Sequence, residues 1–171
     1  MGSWETIEPI FENIRTLIET YVTALAHNER AWIIPGLSID NDPSNEDIRR
    51  VILGKRSYAD MQFPSVYVVL TSIAFETSSF TMENAKLNFR MVIVNKSEPS
   101  LWGGVKETIK VSCQVRDALY NTTGTHNRRT LLGSCNDCFA DEILVDTEPM
   151  GDQAEAIWNY FNFWARKKIT A

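Results

Sequence analysis

The chain has 171 residues, of which 44% are hydrophobic and 23% charged, and its net charge is −5. That length suits one compact domain with a sizeable core. The acidic balance removes any global pull toward nucleic acid or an anionic membrane, and the basic pairs Arg49-Arg50, Lys55-Arg56, Arg128-Arg129 and Lys167-Lys168 read as solvated faces.

No apolar run approaches the ~20 residues needed to span a bilayer. Met1 to Glu5 lacks the basic-then-apolar pattern of a signal peptide, and Thr6 falls in the wrong place for a myristoylation motif. Three cysteines cannot all pair internally, so a reducing cytoplasm is the expected setting, and the sequon Asn121-Thr122-Thr123 is read as chance.

From Thr6 to about His27, apolar residues recur every three or four positions: Ile7, Ile10, Phe11, Ile14, Leu17, Ile18, Tyr21, Val22 and Leu25. This spacing predicts an amphipathic helix lying on a sheet, with Thr6 as its cap and Pro9 in its first turn. Residues 28–62 form a long excursion. Pro35-Gly36 and Asp40 to Pro43 are turn chemistry, and a short helix follows between Ser44 and Gly54.

Val66 to Phe75 is apolar on both faces, as in a strand covered twice. Beyond a polar break at Glu76 to Glu83, Ala85, Leu87, Phe89, Met91 and Ile93 alternate with Lys86, Asn88 and Arg90. That period of two predicts a strand with one buried face, and the two runs make a long antiparallel hairpin.

Leu101 to Tyr120 reads as a second helix, with Trp102, Val105, Ile109 and Cys113 as its apolar stripe and Leu101, Val115 and Leu119 on the flank. Strand is the competing reading for Val111, Cys113 and Val115. Gly103-Gly104 weakens the first turn and suggests a packing or helix-entry role. A third strand is expected around Phe139 to Val145, a turn at Glu148 to Asp152, and a closing strand over Ala154 to Lys167. Its aromatics fall at both parities, and a terminal amphipathic helix is the alternative. The fold expected is α+β: an antiparallel or mixed four-stranded sheet of two hairpins, packed by a long N-terminal helix and a central helix, all in one domain.

Catalytic signatures are sparse. Cys135-Asn136-Asp137-Cys138 has metal-ligand spacing, with His126 and Cys113 as further ligand candidates, but zinc usually takes two clustered pairs. A redox dithiol is a further reading, and small buried cysteines are the ordinary one. His27 and His126 sit near predicted helix ends as surface residues. Asp137, Asp141, Glu142, Asp146 and Glu148 read as a solvated edge or channel wall. No nucleophile elbow, phosphate-cradling loop or His-Glu-x-x-His is present. No enzyme activity, cofactor or metal is therefore expected.

The excess lies in apolar strand surface. Val66, Val68 and Leu70 on one face, and Tyr67, Val69, Ile73 and Phe75 on the other, exceed what two helices on one side can cover. Trp158, Tyr160 and Trp164 of the closing strand pose the same problem. Leftover apolar area predicts a subunit interface, to which Arg90 is added as a candidate.

The layout resembles the tail terminator (tail completion) proteins of tailed bacteriophages. The resemblance rests on the helix from Ile7 to Leu25, on Phe63-Pro64-Ser65-Val66-Tyr67-Val68 opening the first strand, and on a long second strand. It continues through the helix with Val115-Arg116-Asp117-Ala118-Leu119 and the closing Tyr160-Phe161-Asn162-Phe163-Trp164. It implies a structural virion protein of the tail or neck, assembled in the host cytoplasm. A hexameric ring of this chain would cap the head-proximal end of the tail tube, stop its polymerisation and join the tail to the head connector. The implied partners are a second copy of the chain, the tail tube protein and the head-completion protein, with the tail sheath as a further candidate. Genomic DNA would pass the bore without specific binding, and no membrane is involved. Lys55, Arg56 and Tyr58, in the 54–62 loop, together with the strand-joining turns, are the contacts to tube or connector expected from it. Another neck or baseplate component, or a small enzyme using His126, are the alternative readings.

Overall fold

A computed structural model of the chain describes residues 2–22, 31–35, 63–97, 100–120, 130–149 and 155–170. In chain order the elements are α1 (Ser3–Tyr21), β1 (Ala31–Pro35), β2 (Ser65–Ser79), β3 (Met82–Lys96), α2 (Leu101–Leu119), β4 (Asp137–Ala140), β5 (Leu144–Pro149) and β6 (Glu155–Thr170). The fold is α+β. The sheet runs β1-β2-β3-β6, and β4 and β5 both pair with the far edge of β6. β1 is parallel to β2 and every other pairing is antiparallel.

The two expected hairpins are present as β2–β3 and β5–β6. The four expected strands become six because β1 joins the outer edge, inside the region read as excursion, and because the third strand is divided. The chain leaves the ladder at Asp141 to Ile143, so β4 and β5 follow one another along the same edge of β6. The expected polar break between the first two strands shrinks to Phe80-Thr81, with β2 continuing to Ser79. The short helix expected between Ser44 and Gly54 lies outside the described residues.

Both helices lie on one face of the sheet. Ile7, Ile10, Ile14, Leu17 and Ile18 of α1 and Val111, Val115, Ala118 and Leu119 of α2 share one core with Val66, Val68, Leu87, Phe89, Met91, Ile93, Phe161 and Phe163. The alternation in β3 is therefore the pattern that builds this core. α1 starts earlier than expected, with Gly2 at its N-cap, and Thr6 instead donates its hydroxyl to Gly2 O at 3.0 Å. Pro9 lies inside the helix rather than in its first turn. Its missing N–H frees the Glu5 carbonyl on the exposed side, where water can replace the lost bond.

α2 turns a different side to the sheet than its hydrophobicity suggests. Its buried residues are Gly104, Thr108, Val111, Ser112, Val115, Ala118 and Leu119. Leu101, Trp102, Ile109 and Cys113 are exposed, Trp102 at 66%. Small side chains win the inner face because they let the helix sit close. A Cβ at Gly104 would stand 2.7 Å from Lys96 O and 2.8 Å from Ser97 Cα. The inward hydroxyls are satisfied locally: Thr108 donates to Gly104 O at 2.6 Å and Ser112 to Thr108 O at 2.7 Å. Ser100 caps the helix, its Oγ accepting from Gly103 N at 3.0 Å.

Candidate assembly surface

The register of β2 on β3 decides what the sheet shows to its surroundings. Leu70 pairs with Phe89 and Ser72 with Asn88, so Thr71 is an extra residue with no opposite number. Its Oγ1 donates to Asn88 O at 3.0 Å, and Asn88 Nδ2 donates to Ser72 Oγ at 2.9 Å, which pins the bulge. Because side chains alternate along a strand, the extra residue puts Ile73, opposite Leu87, and Phe75, opposite Ala85, on the helix side. The expectation that Ile73 and Phe75 share a face with Tyr67 and Val69 is thereby corrected.

Past the bulge β2 leaves cover. Its first five residues, Ser65 to Val69, are buried; Phe75 through Phe80 are exposed, with Phe75 at 49%. β1 covers the outer edge of β2 only from Val66 to Leu70. Among the described residues no strand pairs the outer edge from Thr71 to Ser79. Backbone donors and acceptors on such an edge invite another strand. At the tip, Phe80 is fully exposed in a two-residue connection. Beside it a shallow depression of about 380 Å³ is lined by Thr77, Ser79, Phe80, Met82, Ile169 and the start of α1 at Gly2.

A second exposed apolar feature is the outward ridge of α2, formed by Leu101, Trp102, Ile109 and Cys113. The Lys106 ammonium stands 5.8 Å from the centre of the Trp102 ring. The opposite edge of the sheet carries a third feature: Phe139 of β4 and Leu144 and Val145 of β5 are all exposed.

The sequence-derived interface candidates divide sharply. Val66 and Val68 are fully buried in the helix-side core, and Leu70 is half-buried against it. On the opposite face Trp158 and Tyr160 are stacked, with ring centres 6.3 Å apart and planes at 12°, and both are buried within the single chain. Arg90 is 1% exposed on that face, its Nε donating to Asn162 Oδ1 at 3.3 Å. The premise that Val66, Val68, Trp158 and Tyr160 are left uncovered by one domain is corrected: Tyr67, Val69, Val92 and Val94 are closed off as well. Trp164 alone of the closing-strand candidates is partly open. It stacks on Phe139 at 6.1 Å, with the Lys86 ammonium 5.1 Å and the Arg166 guanidinium 5.9 Å from its centre. Lys55, Arg56 and Tyr58 lie outside the described residues, as do His27 and His126.

The residues that sequence reasoning missed are Phe80, Phe139 and the outward use of Trp102 and Ile109. Phe80 carried a readable signal, a large aromatic flanked by Ser79 and Thr81 where a turn residue is ordinary.

Among the described residues no three His, Cys, Asp or Glu side chains come together to hold a metal. Asp137 Oδ1 accepts from Cys138 N at 2.9 Å while Oδ2 lies 4.0 Å from Arg166, and Asp141 Oδ1 accepts from Glu142 N at 2.7 Å. These carboxylates are engaged in local turn structure. No described helix is long and apolar enough to cross a membrane. No protein-family model matches the chain, and no curated protein matches it.

Proposed function

We propose that the chain is a structural assembly subunit that closes into a homo-oligomeric ring. Its setting would be the hexameric cap at the head-proximal end of a phage tail tube. The observation that carries the ring is the outer edge of β2 from Thr71 to Ser79, exposed and bearing Phe75 and Phe80. The sheet offers a second edge on its far side, where Phe139, Leu144 and Val145 are exposed. Edge-to-edge contact between unlike edges is heterologous, and a rotation that closes turns such contacts into a ring. The α2 ridge with Trp102 and Ile109 adds apolar area of the kind that subunit contacts bury.

The setting at a tail tube rests on the resemblance of layout. In that setting the ring meets the tube protein on one side and the head-completion protein on the other. Its role is structural, and the net charge of −5 keeps a DNA-passing bore from holding the DNA.

Sedimentation and negative-stain imaging of the purified full chain test the ring. Closed rings of about six copies are expected, and the double variant Phe75→Asp with Phe80→Asp should sediment as folded monomer. A wild-type chain that stays monomeric at micromolar concentration, alone and with polymerised tube protein, sinks the proposal. Rings that ignore tube ends would move the assignment to another neck or baseplate component.

A further inference from the structure

The assembly surface leaves the chemistry of Cys135 and Cys138 unused, and the local structure brings the two together. Residues 130–136 form a tight turn in which Leu131, Leu132 and Gly133 take φ of 46°, 59° and 88°. Thr130 O accepts from Gly133 N at 2.9 Å and from Cys135 N at 3.0 Å, and Ser134 Oγ donates to Leu131 O at 2.8 Å. The turn places Cys135 just ahead of β4, where Cys138 sits opposite Ala165 of β6. Asn136 is tied to β6 on both sides, its N donating to Arg166 O at 2.8 Å and its Oδ1 accepting from Lys168 N at 2.6 Å. Both sulfurs are buried in the helix-side core.

The Cys138 thiol has two acceptors in reach. Its Sγ lies 3.6 Å from Leu119 O at the end of α2, and it also hydrogen-bonds the Cys135 sulfur. That neighbouring thiol holds Cys135 below the ordinary thiol range. Burial opposes the effect, Lys167 assists it, and Asp137 acts both ways, its carboxylate charge opposing and its backbone hydrogen bond assisting. The two cysteines stand three residues apart where the turn enters β4, both in one buried cluster, and an S–S bond brings such sulfurs to ~2.05 Å. The third cysteine, Cys113, stands exposed on α2.

We propose that Cys135 and Cys138 are an oxidisable dithiol that closes to an intrachain disulfide by exchange with a small-molecule disulfide such as oxidised glutathione. The Cys135 thiolate attacks one sulfur of the oxidant, forming a mixed disulfide and expelling one glutathione thiolate, which takes up a proton. Cys138 then loses its proton to solvent and attacks Cys135 Sγ. The mixed disulfide breaks, and the second glutathione leaves as thiolate and is protonated. The dithiol is oxidised by two electrons, and one oxidised glutathione becomes two reduced ones. Closure removes the Cys138 S–H, so Leu119 O loses that donor and the end of α2 senses the oxidation state.

The test uses the full chain in glutathione buffers of increasing oxidised fraction, quenched with an alkylating agent and mapped by peptide mass. The expected result is a peptide carrying a Cys135–Cys138 disulfide, lighter by two hydrogens, while Cys113 remains alkylatable. Cys113→Ser should leave the conversion unchanged. Cys135→Ala and Cys138→Ala, confirmed folded by circular dichroism, should each abolish it. If those variants unfold, the wild-type map still decides. Full alkylation of both thiols in oxidised buffer overturns the proposal. So does a glutathione adduct that persists on Cys135, or recovery of Cys113 in the disulfide.

Discussion

Gly104 of α2 lies against Ile157 of β6, so close that a Cβ on the glycine would stand 2.7 Å from Ile157 Cδ1. Backbone atoms of Lys96 and Ser97 crowd the same point, and backbone cannot rotate aside as a side chain can. Gly104→Ala gains about 1 kcal/mol of helix propensity. It loses about 1–3 kcal/mol to overpacking. A net destabilisation is expected, read as a lower urea midpoint with unchanged slope. An unchanged midpoint would mean the helix simply lifts away from the sheet.

Two turns further along, Asn159 Nδ2 donates to Ser112 Oγ at 2.8 Å, both side chains being buried. Ser112→Ala leaves that amide without its partner, which costs about 1–3 kcal/mol. Combining it with Asn159→Leu should recover much of the loss, because an apolar group of similar shape has no donor to strand. A double-mutant cycle by chemical denaturation checks this.

Trp102 and Ile109 face outward, so changing them touches assembly rather than folding. Trp102→Glu with Ile109→Glu should keep the melting temperature of the monomer and lower the oligomer fraction in sedimentation velocity. Were Trp102 core, as its place on the apolar stripe suggests, the same pair would unfold the chain.

Cys135 has its folded thiol pKa lowered, first by the Cys138 thiol, with Lys167 assisting. The extra stability is present above the unfolded thiol value, roughly 8.5, and is lost as pH falls through the folded value. Thiolate absorbance of a Cys113→Ser protein, titrated under reducing conditions, should show Cys135 ionising below a reference thiol. Cys138→Ala should raise that midpoint, and Lys167→Ala should raise it less.

Much of the fold was readable because β3 and β6 state their faces plainly. Ala85 to Met91 alternate without exception, and Phe161 and Phe163 against Tyr160 and Trp164 announce a strand covered on two sides. The inner face of α2 was unreadable for a physical reason. Thr108 and Ser112 return their hydroxyls to their own helix and so pack as small apolar groups, while Trp102, more hydrophobic, is too large for the gap. β1 is five residues ending in Pro35, too short for periodicity to register. The interface candidates failed at Val66, Val68, Trp158 and Tyr160 because strand hydrophobicity tells that a face is covered, not by which chain. Phe80 and Phe75 needed the bulge to be known before their exposure could be foreseen.

Thr71 gives β2 a parity. On its core side of the bulge the strand counts odd and even one way, and on its tip side the other. Composition does not decide which side of the sheet Ser72 to Thr77 present; the one extra residue does. Removing Thr71 would close the bulge, with Leu70 and Ser72 following one another opposite Phe89 and Asn88, and Ile73 and Phe75 would stay on the side of Leu87 and Ala85. The faces of this hairpin are thus held by its pairing with β3, and the ladder can carry or lose one residue at this point without rewriting a core contact of Val66 or Val68.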